Sequence, residues 1–141
     1  MTVREALRNA YLQTTYRVCV ATNAEPVDIR IGVVSPALDR LLQAHQVCEW
    51  AFVTASNPRS QELADSDNAQ RNDAMKQSLR DAGWRYLEAV GLPDHAGWRQ
   101  EQSVLILGIG QHAAMALARR WQQNAIVCGK TGAPPELVWI E

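Results

Sequence analysis

The residue types best suited to chemistry cluster at Thr54-Ala55-Ser56-Asn57-Pro58-Arg59-Ser60 and, shortly downstream, at Asn68, Arg71 and Asn72. Asn57 and Ser60 can each donate and accept hydrogen bonds, and Arg59 can hold a carboxylate or phosphate in a planar fork. Positions 68, 71 and 72 are spaced by three and four residues and share one helical face. Gln123 and Asn124 lead into another buried strand and can reach the same place. The expected ligand-binding set is therefore Thr54, Asn57, Arg59, Ser60, Asn68, Arg71, Asn72, Gln123 and Asn124, with Arg71 as the main charged contact. Its amides, hydroxyls and guanidiniums suit a polar or anionic small molecule, nucleotide-like or a phosphorylated metabolite. The alternative is a self-satisfied loop, in which asparagines cap turns and Arg71 pairs with Asp65 or Asp67.

Other patterns are weaker. Gly108-Ile109-Gly110-Gln111-His112-Ala113 spells GxGxxA, but a dinucleotide site expects an acid about twenty residues on, where Cys128, Gly129 and Lys130 stand. The glycines then serve a tight strand-to-helix turn, or a modest anion site with Lys130 nearby. His45, His95 and His112 lack metal spacing, and Ser60 has no GxSxG setting or sequence-evident partner. Cys19, Cys48 and Cys128 form no CxxC pair and read as small buried hydrophobes. No catalytic set, metal or cofactor is indicated, and whether the protein is an enzyme stays open.

The elements that must position these residues can be read from capping and periodicity. Thr2 and Glu5 have capping-box spacing, and Val3, Ala6, Leu7, Ala10 and Tyr11 recur on one helical face. Alternation at 16–20 and 27–31 predicts a hairpin. Ser35-Pro36 starts a second helix with Leu38, Leu41 and Leu42 inward. Residues 50–54 form a central strand, and Asn57-Pro58 ends it. A helix follows over 67–82, with Met75, Leu79 and Ala82 inward and Gly83 as its stop. Then come a strand at 84–90, a loop at 91–101, a strand at 103–107, a helix at 111–122, a strand at 125–128 and an edge strand at 137–140. The expected fold is α/β, with α+β as the alternative: a mixed central sheet with flanking helices. The order hairpin, helix, strand occurs twice, which suggests two ββαβ halves about a pseudo-two-fold axis.

A chain of 141 residues fits one domain spanning 1–141. Its net charge of −1 argues against electrostatic capture of nucleic acid. No apolar run suits a membrane span and the N-terminus lacks a signal-peptide core, so a cytoplasmic setting is expected. The five tryptophans support a second reading, a regulator or an inhibitor or immunity-type protein that docks on a protein partner through Trp98 or Trp139. The oligomeric state is left open.

Residues 50–60, Asn68 with Arg71-Asn72, and Leu117-Ala118-Arg119-Arg120-Trp121-Gln122-Gln123-Asn124-Ala125-Ile126 resemble domain-of-unknown-function family 3293, a group of small bacterial proteins. The resemblance runs from about Tyr16 to Trp139. It implies a bacterial source and a single domain, and no agreed activity. In the family an aromatic often precedes the Asn-Pro pair, whereas Ser56 stands here.

Overall fold

The computed structural model describes residues 1–21, 23–94 and 99–140. Helix α1 (Val3–Leu12) is capped as expected: the Thr2 hydroxyl accepts from the Glu5 amide at 3.1 Å. Strands β1 (Thr14–Val18) and β2 (Val27–Ile29) form the hairpin, with Tyr16 opposite Ile29 and Arg17 paired to Asp28 at 2.8 Å. Ser35 caps α2 (Pro36–Ala44), whose first residue is the proline. Strand β3 (Glu49–Val53) leads through a single 3-10 turn (Pro58–Ser60) to α3 (Asp65–Asp81). Then follow β4 (Arg85–Pro93), β5 (Glu101–Leu107), α4 (Gln111–Arg120), β6 (Ala125–Lys130) and β7 (Glu136–Trp139).

The seven strands make one curled sheet in the order β2-β1-β4-β5-β3-β6-β7, and every pairing is antiparallel. The fold is thus α/β in composition with flanking helices, as the sequence indicates. β3 is central and β7 is an edge. Two strands are longer than periodicity suggests, because pairing extends them: Gly91 and Pro93 of β4 lie opposite Tyr16 and Thr14, and Gly91 also lies opposite Glu101. The rest of the expected 91–101 loop falls largely on residues 95–98, outside the described residues.

The ββαβ order is present twice along the chain, as β1-β2-α2-β3 and β4-β5-α4-β6. In the sheet, however, β3 lies beyond β1 from its hairpin, while β6 lies on the β5 side of the other. The four strands β2-β1-β4-β5 nonetheless set the two hairpins symmetrically about the β1–β4 pair, so the open strand order matches a two-fold relation there and departs from it at β3 and β6.

Strand side chains alternate between faces, so each face gathers its own core. One face places Ala51, Val53, Val104, Ile106, Ile126 and Cys128 against Met75 and Leu79 of α3 and Ala114 and Ala118 of α4. The opposite face places Val18, Ile29, Trp50, Phe52, Leu105 and Leu107 against Leu38 and Leu42 of α2. α2 covers only part of that face. The remainder lies beneath α1, which has no fully buried residue. Val3 and Ala6 of its expected inner face point to solvent, as does Ala82 after α3. Helical spacing shows that residues share a face, whereas burial also needs something packed opposite them. No helix among the described residues is long and apolar enough to cross a membrane.

Candidate functional site

Along the face shared by α1 and α2, the strands change character from one end to the other. β3 reads Trp50, Phe52, Thr54, and β5 reads Leu107, Leu105, Ser103, Glu101 at alternate positions. The apolar ends sit under α2. The polar ends open into a cavity of about 460 Å³ between the sheet and α1. Thr14 and Tyr16 of β1, Gly91 and Pro93 of β4, and Ala125 and Val127 of β6 line it in the same two-residue rhythm. Leu7, Ala10 and Tyr11 form its helical wall. This volume lies within the range of small-molecule sites, which are mostly apolar with a few convergent polar groups.

Glu101 is one of those groups. Its carboxylate accepts a 2.9 Å hydrogen bond from the Asn57 side-chain amide. Enclosure in the pocket raises its pKa above the ordinary carboxylate value, and the Asn57 bond opposes that shift only in part. Tyr11 stands close enough for the Glu101 charge to act on it; burial, then Glu101, lift its phenol to about 12, and the nearby Ser60 hydroxyl opposes that shift in part. The Tyr16 phenol is also raised, first by burial and then by its tyrosine neighbour, and donates to the Tyr11 carbonyl at 3.1 Å. Phe52 meets the Tyr16 ring edge-to-face at 5.0 Å. A carboxyl group, two phenols and a phenyl ring thus converge on one cavity.

The loop after β3 builds the polar wall, and it is strained. Asn57, Arg59 and Ser60 all have positive φ, at 49°, 54° and 61°. Left-handed non-glycine residues persist only where their surroundings hold them. Here the amide of Ala55 donates to the Asn72 Oδ1 at 2.9 Å, and Asn72 Nδ2 donates to the Ser56 hydroxyl and to the Asn68 carbonyl. Asn68 accepts from the Asn57 backbone amide and donates to the Asn57 Oδ1. Arg71 donates to the Ala55 carbonyl at 2.7 Å and to the Trp121 carbonyl at 2.8 Å. From the junction between α4 and β6, Gln123 donates to the Ser56 carbonyl, Asn124 donates to the Ser60 hydroxyl, and the Gln122 carbonyl receives the Arg59 amide. The net effect is to aim the Asn57 side chain at Glu101.

The nine residues expected from the sequence are therefore brought together, in two arrangements. Thr54, Asn57, Ser60 and Gln123 line the cavity. Asn68, Arg71, Asn72 and Asn124 hold the loop that carries them, and Arg59 is exposed with its backbone as the bonded part. Arg71 is committed to two carbonyls, with Gln122 Oε1 at 3.5 Å as a third neighbour, rather than to Asp65 or Asp67. Glu101, Tyr11, Tyr16, Phe52 and Ser103 are pocket residues that sequence reasoning missed. Continuing the alternation of Leu107, Leu105 and Ser103 by one step would have placed Glu101 on this face.

The chain matches the family described as "Protein of unknown function (DUF3293)" over residues 53–126, just over half its length. It belongs to that family. The matched span begins at the end of β3 and runs into β6, so it contains the strained loop, Asn57, Glu101 and the residues that lock them. No curated protein and no solved structure matches the chain.

Three further expected features have their places in the fold. The GxGxxA segment is a strand-to-helix turn in which Gly108 has φ of +78°. A Cβ on Gly110, which caps α4, would meet the Glu49 carboxylate at 3.3 Å, so the positive end of that helix faces the chain's own acid. Trp139 is half-buried, edge-on to Tyr11 at 5.9 Å and beneath Arg4 at 4.5 Å. Trp98 lies outside the described residues. Of the cysteines, Cys128 is buried, as expected, whereas Cys19 and Cys48 are exposed. Their strand-flanking positions look apolar in sequence but end at the surface.

Proposed function

We propose that this protein binds a small organic molecule in the cavity between the curled sheet and α1, with Glu101 as the polar anchor. The observation that carries this reading is a half-buried carboxyl group at the wall of a formed cavity, aimed by an asparagine in a strained loop that five side chains hold at Ala55, Ser56, Asn57 and Ser60. A carboxylate has room for about four hydrogen bonds, and the Asn57 amide occupies one of them. A donor group on a ligand completes the set. The same carboxyl, with its raised pKa, is suited to exchanging a proton with a bound molecule.

The sequence alone favours a polar or anionic ligand, with Arg71 as its charged contact. The geometry supports a different polarity, because Arg71 is occupied with backbone carbonyls and the pocket presents an acid. A bacterial, cytoplasmic setting is part of the proposal. It draws on the resemblance for the source, and on two exposed free thiols, Cys19 and Cys48, which persist most readily in a reducing compartment.

Gly91→Leu tests the site. A Cβ at Gly91 makes only ordinary contacts, 3.8 and 3.9 Å from Glu101, and the longer side chain would occupy the cavity. In a thermal-shift screen of small alcohols, phenols, amines, carboxylates and nucleotides, a ligand that stabilises the wild-type protein should lose its effect on Gly91→Leu. A hit that stabilises both proteins equally would place its site elsewhere.

A further inference from the structure

Charge and shape within the cavity narrow the class of ligand beyond the presence of a site. The acids along its walls are Glu101 and, at the exposed mouth, Glu62; the one basic residue among the described lining residues is Arg99. Arg99 is exposed and already bonded to Asp65 at 2.7 Å. Nearby Arg30 is likewise tied to Asp94, at 2.9 Å. Among the described residues Glu101 therefore faces the cavity without a cationic partner of its own, and receives a neutral amide instead. A carboxylate left in that state by the fold is matched best by a positive charge brought in from outside.

The rest of the wall fits such a visitor. Tyr11, Tyr16 and Phe52 present rings on the helical and sheet sides of the same space. Aromatic faces attract ammonium groups through their negative quadrupole and also pack against an apolar body. Leu7, Ala10, Pro93, Ala125 and Val127 complete an apolar lining. An anionic ligand would meet like charge at both the wall and the mouth, and a neutral alcohol would use the hydrogen bond but leave the charge unmatched.

We infer that the molecule accepted here is an organic amine, its ammonium paired with Glu101 and its apolar body lying against Tyr11, Tyr16 and Phe52. This inference rests on the pocket being a binding site, as proposed above. It makes Asn57 a positioning residue, which fixes the carboxylate and leaves its other lone pairs to the ammonium. It also gives Tyr11 a place beside the charge pair, where its hydroxyl can accept from the same ammonium.

Matched probes separate the two ideas. Phenethylamine and hexylamine are titrated calorimetrically against phenethyl alcohol, hexanol and 3-phenylpropanoate, using the full chain, Glu101→Gln and Gly91→Leu. The amines should bind at least about tenfold more tightly than their alcohols, the size of one charge-assisted hydrogen bond. Glu101→Gln should erase that advantage while alcohol binding persists, and Gly91→Leu should abolish both. If alcohols bind as well as amines, or if the advantage survives in Glu101→Gln, the ammonium assignment is overturned while the pocket stands. If amines bind and Gly91→Leu does not weaken them, or if no probe binds the wild-type protein, both ideas fall.

Discussion

Replacing Asn72 by alanine should cost this protein about 3 kcal/mol of stability, and the structure shows where that comes from. Asn72 is fully buried on α3. Its removal strands the Ala55 backbone amide, which donates to it at 2.9 Å in a buried position; an unsatisfied donor of that kind costs about 1–3 kcal/mol. The Ser56 hydroxyl and the Asn68 carbonyl each lose a 2.9 Å partner, for roughly 1 kcal/mol together, since the hydroxyl can rotate and the carbonyl sits within a helix. A chain of 141 residues unfolds with an entropy near 0.3 kcal/mol/K, so the melting temperature should fall by about 10 °C. Differential scanning calorimetry measures it directly. Asn72→Asp should fare no better: it keeps the acceptor for Ala55 but loses both donated bonds and buries a charge. A fall of less than about 3 °C for Asn72→Ala, with the circular dichroism spectrum unchanged, would refute the view that this amide pins the loop.

Two other perturbations follow from packing and charge. A Cβ on Gly129 would lie 2.9 Å from the Trp50 ring, which is buried under α2; Gly129→Ala should therefore destabilise by about 1–3 kcal/mol in urea unfolding. Tyr11 ionises more readily unfolded than folded, its folded pKa being raised to about 12. The folded state thus holds that proton longer, and its stability should fall as pH rises from about 10 towards 12. The fall in urea midpoint across that range should be smaller in Tyr11→Phe, and an equal fall in both proteins would exclude Tyr11 as a source. Glu101 has the same sign lower on the pH scale: its raised pKa makes stability highest in acid and erodes it as pH climbs from the ordinary carboxylate value. Glu101→Gln should therefore melt higher than wild type at neutral pH and lose that margin on acidification, as paired melting curves would show.

Local signals in the chain are strong where a residue's backbone requirement is specific. Ser35-Pro36 can start a helix, and Asn57-Pro58 can break a strand, whatever surrounds them. The meeting of the two junctions, at 54–60 and 121–124, was also within reach, because both pair a strand end with a cluster of amides. What the amides do there was not. Asn68, Arg71 and Asn72 have the same donors and acceptors whether they meet a ligand or a backbone. Only the position of the Ala55 and Trp121 carbonyls decides the matter. Glu101 was hidden for a different reason. Its importance depends on β5 standing between β4 and β3, so that an acid at a strand's first residue comes opposite Gly91 and within reach of Asn57. Helical spacing puts Tyr11 on the inward face of α1, but that face closes a cavity rather than a core.

The order of strands in the sheet also sets the order in which the chain can acquire its structure. β1 and β2 can pair as soon as both exist, since they are sequence neighbours. β3 cannot: its two neighbours are β5 and β6, which begin at Glu101 and Ala125. A chain emerging from synthesis therefore carries Trp50–Val53, residues that end up fully enclosed, without a partner for more than half of its remaining length. The first-made and last-made parts are interleaved, so neither can mature alone. Such non-local pairing slows folding and exposes apolar strand to other chains meanwhile. Severing the chain between α3 and β4 should yield two unstructured pieces rather than two small domains. The pocket, whose walls come from α1 and five separate strands, exists only once β6 has docked.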